Sequence, residues 1–264
     1  MKEILERLLR GESLTETQMI EAMNMIMEGK VSDIHIASFL TALRVKGETP
    51  SEITGGAKVM REKAISLDLN DIFTVDTCGT GGDGSNTYNI STASAFVLAA
   101  GGVSVVKHGN RSVSSQSGSA DVLEELGINI SITPKRVEEC VRKINLGFLF
   151  APTFHNAMKY VVPVRKELGF RTIFNMLGPL TNPAKANAQL LGVFNENITE
   201  LMAESMKQLG VEHVLVVHGM DKLDEITISD RTKITELKDG VINSYYVEPE
   251  DFGIKRSVKK ELEG

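Results

Sequence analysis

Three segments of this sequence are rich in glycines and small hydroxyl side chains, one of them with two cations, in the way that an anion-binding pocket requires. The first is the run Asp76-Thr77-Cys78-Gly79-Thr80-Gly81-Gly82-Asp83-Gly84, which leads through Thr87 and Asn89 to a helix expected from about Ile90. Glycines let backbone amides approach an anion without side-chain obstruction, and a helix start adds partial positive charge. Asn89, Ser91 and Thr92 stand at that start, where they can cap the helix or donate to the same anion. The spacing argues against a Walker loop, because no Gly-Lys-Ser/Thr follows. It also argues against a Rossmann fingerprint, because Asp83 occupies the wrong place.

The second segment, Lys107-His108-Gly109-Asn110-Arg111-Ser112-Val113-Ser114-Ser115, packs two permanent cations among small donors directly after an expected strand. Strand ends are where ligands bind in open α/β sheets. The third, Ser117-Gly118-Ser119, precedes another helix and repeats the anion-friendly arrangement. Any one of these could be a solvated loop; three in succession favour a phosphate pocket. Asp224 and Glu225, adjacent carboxylates beyond His218-Gly219, add hard oxygen donors. Magnesium takes one or two carboxylates together with phosphate oxygens and water, so the pair suits a metal-phosphate complex, although an isolated acidic pair is usually just solvated.

The elements that must position these residues fall into two parts. Up to about residue 70 the sequence reads as helices. Thr15 to Gln18 has capping-box spacing ahead of the apolar stripe Met19, Ile20, Met23, Ile26 and Met27. Ser32 and Asp33 can cap a second helix that ends near Gly47, and Thr49, Pro50 and Glu52 open a third that runs to about Lys63. The methionines read as core filler. From Ile72 the pattern becomes short apolar strands alternating with glycine loops and helices, as in a mainly parallel sheet. Strands are expected at Phe73–Asp76, Val103–Val106, Gly147–Phe150, Leu190–Phe194 and Val214–Val217. Ile226–Ile228, Lys233–Leu237 and Val241–Val247 look antiparallel, the last two joined by the hairpin signal Asp239-Gly240. The fold class is therefore α/β: a small N-terminal all-helical domain, residues 1–70, and a larger domain, residues 71–264, with a mainly parallel sheet flanked by helices.

Composition sets the outer limits. The 264 residues are 42% hydrophobic and 24% charged, ordinary for a globular protein with one large core or two unequal domains. A formal charge of −6 argues against a general nucleic-acid binder, so an anionic ligand must be met by local cations and amides. The most apolar stretch, Ala93 to Val106, is interrupted by Ser94, Gly101, Gly102 and Ser104, and falls short of the roughly 20 uninterrupted residues of a membrane span. The N-terminus lacks the pattern of a secretory signal, and a cytoplasmic location is expected. Cys78 and Cys140 lack zinc-site spacing, and no disulfide is expected.

Several long strings together resemble anthranilate phosphoribosyltransferases in order and spacing. They are Cys78 to Gly84, Asn89-Ile90-Ser91-Thr92, Lys107 to Arg111 with Ser114 to Ala120, Phe148 to Pro152, Val164 to Gly169 and Asn175 to Pro183. The resemblance spans nearly the whole chain. It implies a fold of the nucleoside phosphorylase and phosphoribosyltransferase type, with a mid-chain helical segment near 160–180 joining the helical domain. It implies transfer of a phosphoribosyl group from phosphoribosyl pyrophosphate (PRPP) to anthranilate in tryptophan biosynthesis, with Mg2+ as cofactor. By that resemblance Gly79, Gly82, Asp83, Thr87, Asn89, Ser91, Thr92, Lys107 and Ser119 hold PRPP, with His108, Gly109, Arg111 and Ser115 in the same substrate-binding set. Asn110 and Arg165 hold anthranilate; Ser91, Asp224 and Glu225 serve magnesium. Lys107 and Arg165 act electrostatically, and no general base is expected.

The planar fork of Arg165 suits bidentate capture of a carboxylate. His155 is either a lining residue of the anthranilate entrance or a satisfied interior or surface histidine, and His108 reads as structural. The resemblance also implies a homodimer through the helical domain, and relatives that continue past Gly264 through further helices. Thr153 and Phe154 stand where many relatives carry more polar residues. Two other classes compete with this reading. A pyrimidine nucleoside phosphorylase would usually place a lysine just ahead of its Thr-Gly-Gly turn, where Asp76-Thr77-Cys78 stands here. A non-enzymatic relative binding nucleic acid would need a basic groove and would have lost residues such as Arg165, Asp224 and Glu225.

Overall fold

The computed structural model describes residues 1–81, 87–111 and 117–262. Four helices come first: α1 (Lys2–Leu9), α2 (Glu16–Met27), α3 (Asp33–Lys46) and α4 (Pro50–Lys63). Two open on full capping boxes, Thr15 with Gln18 and Thr49 with Glu52, so side chains satisfy amides that the first turn leaves unpaired. Ser32 occupies the N-cap of α3, but its hydroxyl goes to His35 Nδ1 rather than to the helix amides. The helices α2 and α4 cross closely at Gly55, where a Cβ would stand 2.8 Å from the Glu16 carbonyl.

The remainder alternates strands and helices: β1 (Thr74–Asp76), α5 (Ile90–Ala100), β2 (Ser104–Gly109), α6 (Ser119–Glu125), α7 (Pro134–Ile144), β3 (Leu146–Phe150), α8 (Ala151–Phe154), α9 (Val162–Leu168), α10 (Phe174–Leu180), β4 (Ala188–Gly192), α11 (Thr199–Gln208), β5 (His213–Gly219), β6 (Thr232–Lys238) and β7 (Val241–Val247). Seven strands form one sheet in the order β3-β2-β1-β4-β5-β6-β7. Pairing is parallel from β3 to β5 and antiparallel for β5-β6 and β6-β7. Asp239 and Gly240 both adopt positive φ, 51° and 75°, the backbone that a two-residue hairpin turn demands.

One sequence expectation fails. Ile226–Ile228 alternates like a strand but forms none. Asp221 captures the Thr227 hydroxyl at 2.7 Å and the Ser229 hydroxyl as well, and Thr227 N–H donates to Thr232 Oγ1. Local side-chain bonds therefore hold this stretch as a compact loop, overriding its β-branched composition.

The sheet is covered on both faces. Val105 packs with Ala95 and Ala99 of α5, whereas its neighbour Val106 belongs to a cluster with Val137 and Val141 of α7. The largest core joins Met19, Met23, Phe39 and Ile53 of the first helices to Val164, Phe174 and Leu177 of α9 and α10, and then to Leu191, Val214 and Val216 of the sheet. Truncating a fully buried side chain there costs about 2–5 kcal/mol. This apolar continuity seats the helical layer on the sheet at β4 and β5.

Candidate active site at the switch in strand order

Strand order reverses at β1, which has β2 and then β3 on one side and β4 and then β5 on the other. In such sheets the crevice outside the strand carboxyl ends at this point binds ligands. Each predicted segment leaves one of these ends. Thr77 to Gly81 follows β1, Lys107 to Gly109 closes β2, and the loop carrying Asp224 and Glu225 follows β5.

The glycine run is anchored to the tip of β4 and to that acidic loop. Thr80 N–H donates to the Gly192 carbonyl at 2.8 Å, Phe194 N–H donates to Thr80 Oγ1 at 3.1 Å, and Gly81 N–H donates to Asp224 Oδ2 at 2.9 Å. The crossing has no room for side chains. A Cβ on Gly79 would stand 3.2 Å from the Gly192 carbonyl and 3.3 Å from Asp224 Oδ2, and one on Gly192 only 1.8 Å from the Asp224 carbonyl. Gly192 is a site residue that the sequence reading missed; a glycine closing an apolar strand was its one visible signal.

Lys107 is buried, and its ammonium reaches the Thr77 carbonyl at 2.7 Å and Ser91 Oγ at 3.1 Å. Thr77 Oγ1 in turn donates to the Ser91 carbonyl. One cation thus joins the end of β1 to the first turn of α5. In that turn Thr92 is buried, with its hydroxyl unpartnered among the described residues. Asn89 holds the N-cap position without a side-chain cap bond, reaching the Ser117 carbonyl at 3.4 Å instead. An unpaired buried hydroxyl costs stability unless a ligand takes it up. Thr87 is half-buried beside them.

Gly109 lets α6 close on β2: a Cβ there would lie 2.4 Å from Ser119 Oγ, which donates to the Asn110 carbonyl at 3.4 Å. Arg111 differs from its expected role as a cation open to an anion. Its guanidinium grips Glu124, reaches Asp121 at 3.3 Å and lies 5.6 Å from the Phe150 ring centre. Gly82, Asp83 and Ser115 lie outside the described residues.

On the far side of β2, His108 and His155 are both buried with their Nε2 atoms 3.2 Å apart. Burial pushes the His108 pKa down to about 3 and the His155 pKa down to about 4, so both rings are neutral at physiological pH. His155 is thus buried rather than at the surface. Arg165, on α9, is half-buried with its guanidinium 5.5 Å from the Phe174 ring centre, and burial lowers its pKa. A carboxylate ligand reaching it would be met in a medium where charge attraction is strong.

Among the described residues no group of three or more His, Cys, Asp or Glu side chains could hold a metal. Asp224 and Glu225 instead supply two hard oxygen ligands, which fits an ion that keeps waters and substrate phosphate oxygens in its shell. The half-buried Ser91 hydroxyl is already in contact with Lys107, so a second cation there would have to share it.

Residues 72–264 match the glycosyl transferase family, a/b domain, and residues 2–64 match the glycosyl transferase family, helical bundle domain. The chain is 60% identical over 264 residues to the anthranilate phosphoribosyltransferase of Alkaliphilus metalliredigens, covering 100% of this chain and 78% of that one. The chain belongs to the anthranilate phosphoribosyltransferase family. The anthranilate phosphoribosyltransferase of Acetivibrio thermocellus is 56% identical, with 100% and 76% covered. Among solved structures, the anthranilate phosphoribosyltransferase of Thermus thermophilus superposes with a TM-score of 0.92 at 44% identity, over 99% of this chain and 78% of that one. The anthranilate phosphoribosyltransferase of Saccharomyces cerevisiae in complex with PRPP and Mg gives 0.89 at 28% identity, over 99% and 76%.

Proposed function

We propose that this chain transfers the phosphoribosyl group of PRPP to the amine of anthranilate, giving N-(5-phosphoribosyl)anthranilate and pyrophosphate in tryptophan biosynthesis. The observation that carries the reading is the convergence of the glycine run, Lys107 and the Asp224 loop at one switch point, in a chain 60% identical to a protein of that name.

The donor half of the site works by electrostatics and positioning. The amides of the glycine run, the Thr92 hydroxyl and Asn89 would meet phosphate, and the family resemblance assigns Gly79, Gly82, Asp83, Thr87 and Ser119 to the same ligand. Lys107 draws the β1 loop and α5 together and leaves a fixed positive charge beneath them, so little reorganisation is needed as negative charge grows on the departing pyrophosphate. Asp224 and Glu225, with Ser91, would hold the magnesium ion. When bound, magnesium neutralises phosphate oxygens of the donor and stabilises the leaving group.

On the acceptor half, Arg165 and Asn110 hold and orient anthranilate through its carboxylate. The aromatic amine is weakly basic and unprotonated at neutral pH, so orientation rather than proton removal is the demand on the protein. The neutral histidine pair adds no positive charge to compete with Arg165.

We place residues 1–70 and the segment near 160–180 in a helical domain, and the rest in the α/β domain. A homodimer through that helical layer, which the family resemblance implies, belongs to this reading. A cytoplasmic location is part of the same reading; among the described residues no helix is long and apolar enough to cross a membrane. Loss of anthranilate fluorescence on adding PRPP, with and without magnesium, tests the proposal. Anthranilate left unconsumed with PRPP and magnesium present would refute it.

A further inference from the structure

Asp76 is fully buried at the end of β1, yet it forms no ion pair among the described residues and lies behind the surface where substrates would bind. Its Oδ1 accepts the His108 N–H at 3.2 Å and its Oδ2 accepts Asn182 Nδ2–H at 2.8 Å. Lys107 lies close enough to favour the charged carboxyl but donates to Thr77 and Ser91 instead. Burial nevertheless pushes the Asp76 pKa up to about 6. A buried carboxyl held by N–H donors rather than by an ion pair still carries a desolvation cost.

The partners of Asp76 belong to opposite halves of the site. Its own chain runs directly into the glycine run. Asn182 follows α10, the wall whose Phe174 lies 5.5 Å from the Arg165 guanidinium on the acceptor side, and it also donates to the Val106 carbonyl at 2.7 Å. That wall is gripped elsewhere by Arg61, whose Nε donates to the Leu180 carbonyl at 2.7 Å. A second buried side chain repeats the link: the Gln189 amide reaches the Pro179 carbonyl at 3.0 Å and the Cys78 carbonyl at 3.5 Å.

We infer that Asp76 is a positioning residue that sets the donor loop in register with the acceptor wall through Asn182. This rests on the proposed transfer reaction. Each substrate binds within its own half, so a slackened link spoils their mutual alignment and leaves each separate binding event largely intact. The donors to Asp76, from Asn182, His108 and Thr77, are all N–H groups; an asparagine there offers one acceptor oxygen and turns an amide donor against the N–H groups that met the other.

The test is steady-state kinetics on Asp76→Asn, Asn182→Ala and the double variant, at a temperature where thermal unfolding shows each folded. The expected result is a kcat lower by roughly tenfold to a hundredfold in each single variant, both Michaelis constants within about threefold of wild type, and little further loss in the double variant. Should Asp76→Asn fail to fold, Asn182→Ala carries the same expectation alone. A kcat within about twofold of wild type, a change confined to one Michaelis constant, or additive losses would overturn the inference while leaving the transfer reaction standing. A wild-type chain that consumes no anthranilate would overturn the reaction and this inference together.

Discussion

The amide of Gly81 and the carboxylate of Asp224 meet at 2.9 Å although 143 residues separate them in the chain. The contact ties the glycine run to the acidic loop, so these two parts of the proposed site are built as one object.

Gly192→Ala should damage that object most. The added carbon would stand 1.8 Å from the Asp224 carbonyl, a backbone atom that cannot rotate away. We expect kcat/KM to fall by more than about a hundredfold and stability by about 1–3 kcal/mol, the usual cost of forced overpacking. Activity within about threefold of wild type would show that the crossing can open to admit a methyl group.

Arg165→Ala should raise the KM for anthranilate by about tenfold or more, some 1.4 kcal/mol, while the KM for PRPP stays put. Arg165→Lys should recover little, because an ammonium cannot present the two parallel N–H groups of a guanidinium. An unchanged anthranilate KM in Arg165→Ala removes this residue from the acceptor site.

Replacing Asp224 and Glu225 together by Asn and Gln preserves size and removes both charges. The double variant should lose the response of its rate to added magnesium, measured as a titration at saturating PRPP. A magnesium half-saturation equal to that of wild type would place the metal on other ligands.

Acid should destabilise the fold, and the sign follows from the buried histidines. Below about pH 6.5 an unfolded chain protonates both, whereas the folded rings resist until about pH 4 for His155 and about 3 for His108. Folded values lie below unfolded ones, so this stability is present at neutral pH and is lost as pH falls. Asp76 has the opposite sign, because its folded value of about 6 exceeds the ordinary 3.8, and its burial penalty relaxes as pH drops through that window. Two groups against one leave a net loss of stability as pH falls between roughly pH 6 and 4.5, on the order of one proton per molecule. Urea unfolding at stepped pH would measure it, and His155→Gln should flatten the slope. A stability that holds level down to about pH 4.5 contradicts the assignment of two neutral interior histidines.

Much of the fold was written in short-range chemistry. Thr15 with Gln18 and Thr49 with Glu52 announce helix starts because a cap is a matter of residues three apart, and Asp239-Gly240 announces a turn because few pairs tolerate two positive φ angles. The segments Thr77 to Gly81 and Lys107 to Asn110 were visible as donor clusters for the same reason. What stayed hidden depends on strand order. Nothing near Gly192 marks it as the place where a loop from after β5 crosses, and nothing near Asp76 shows that Asn182 will reach it from 106 residues away. Arg111 was read as an available cation since its carboxylate partners, Glu124 and Asp121, come from a helix whose approach only tertiary packing determines. Ile226–Ile228 shows the reverse failure, a local β pattern overruled by hydroxyl bonds to Asp221.

The crossing at Gly192 also bears on how such proteins can be recombined. A chimera that takes its first four strands from one parent and its last three from another would pair a β4 tip with a foreign acidic loop, at a junction with no tolerance for mismatch. Exchanges that keep residues 77–81 together with 188–232 from a single parent should preserve the junction, whereas exchanges that divide these stretches between parents put its close backbone contacts at risk.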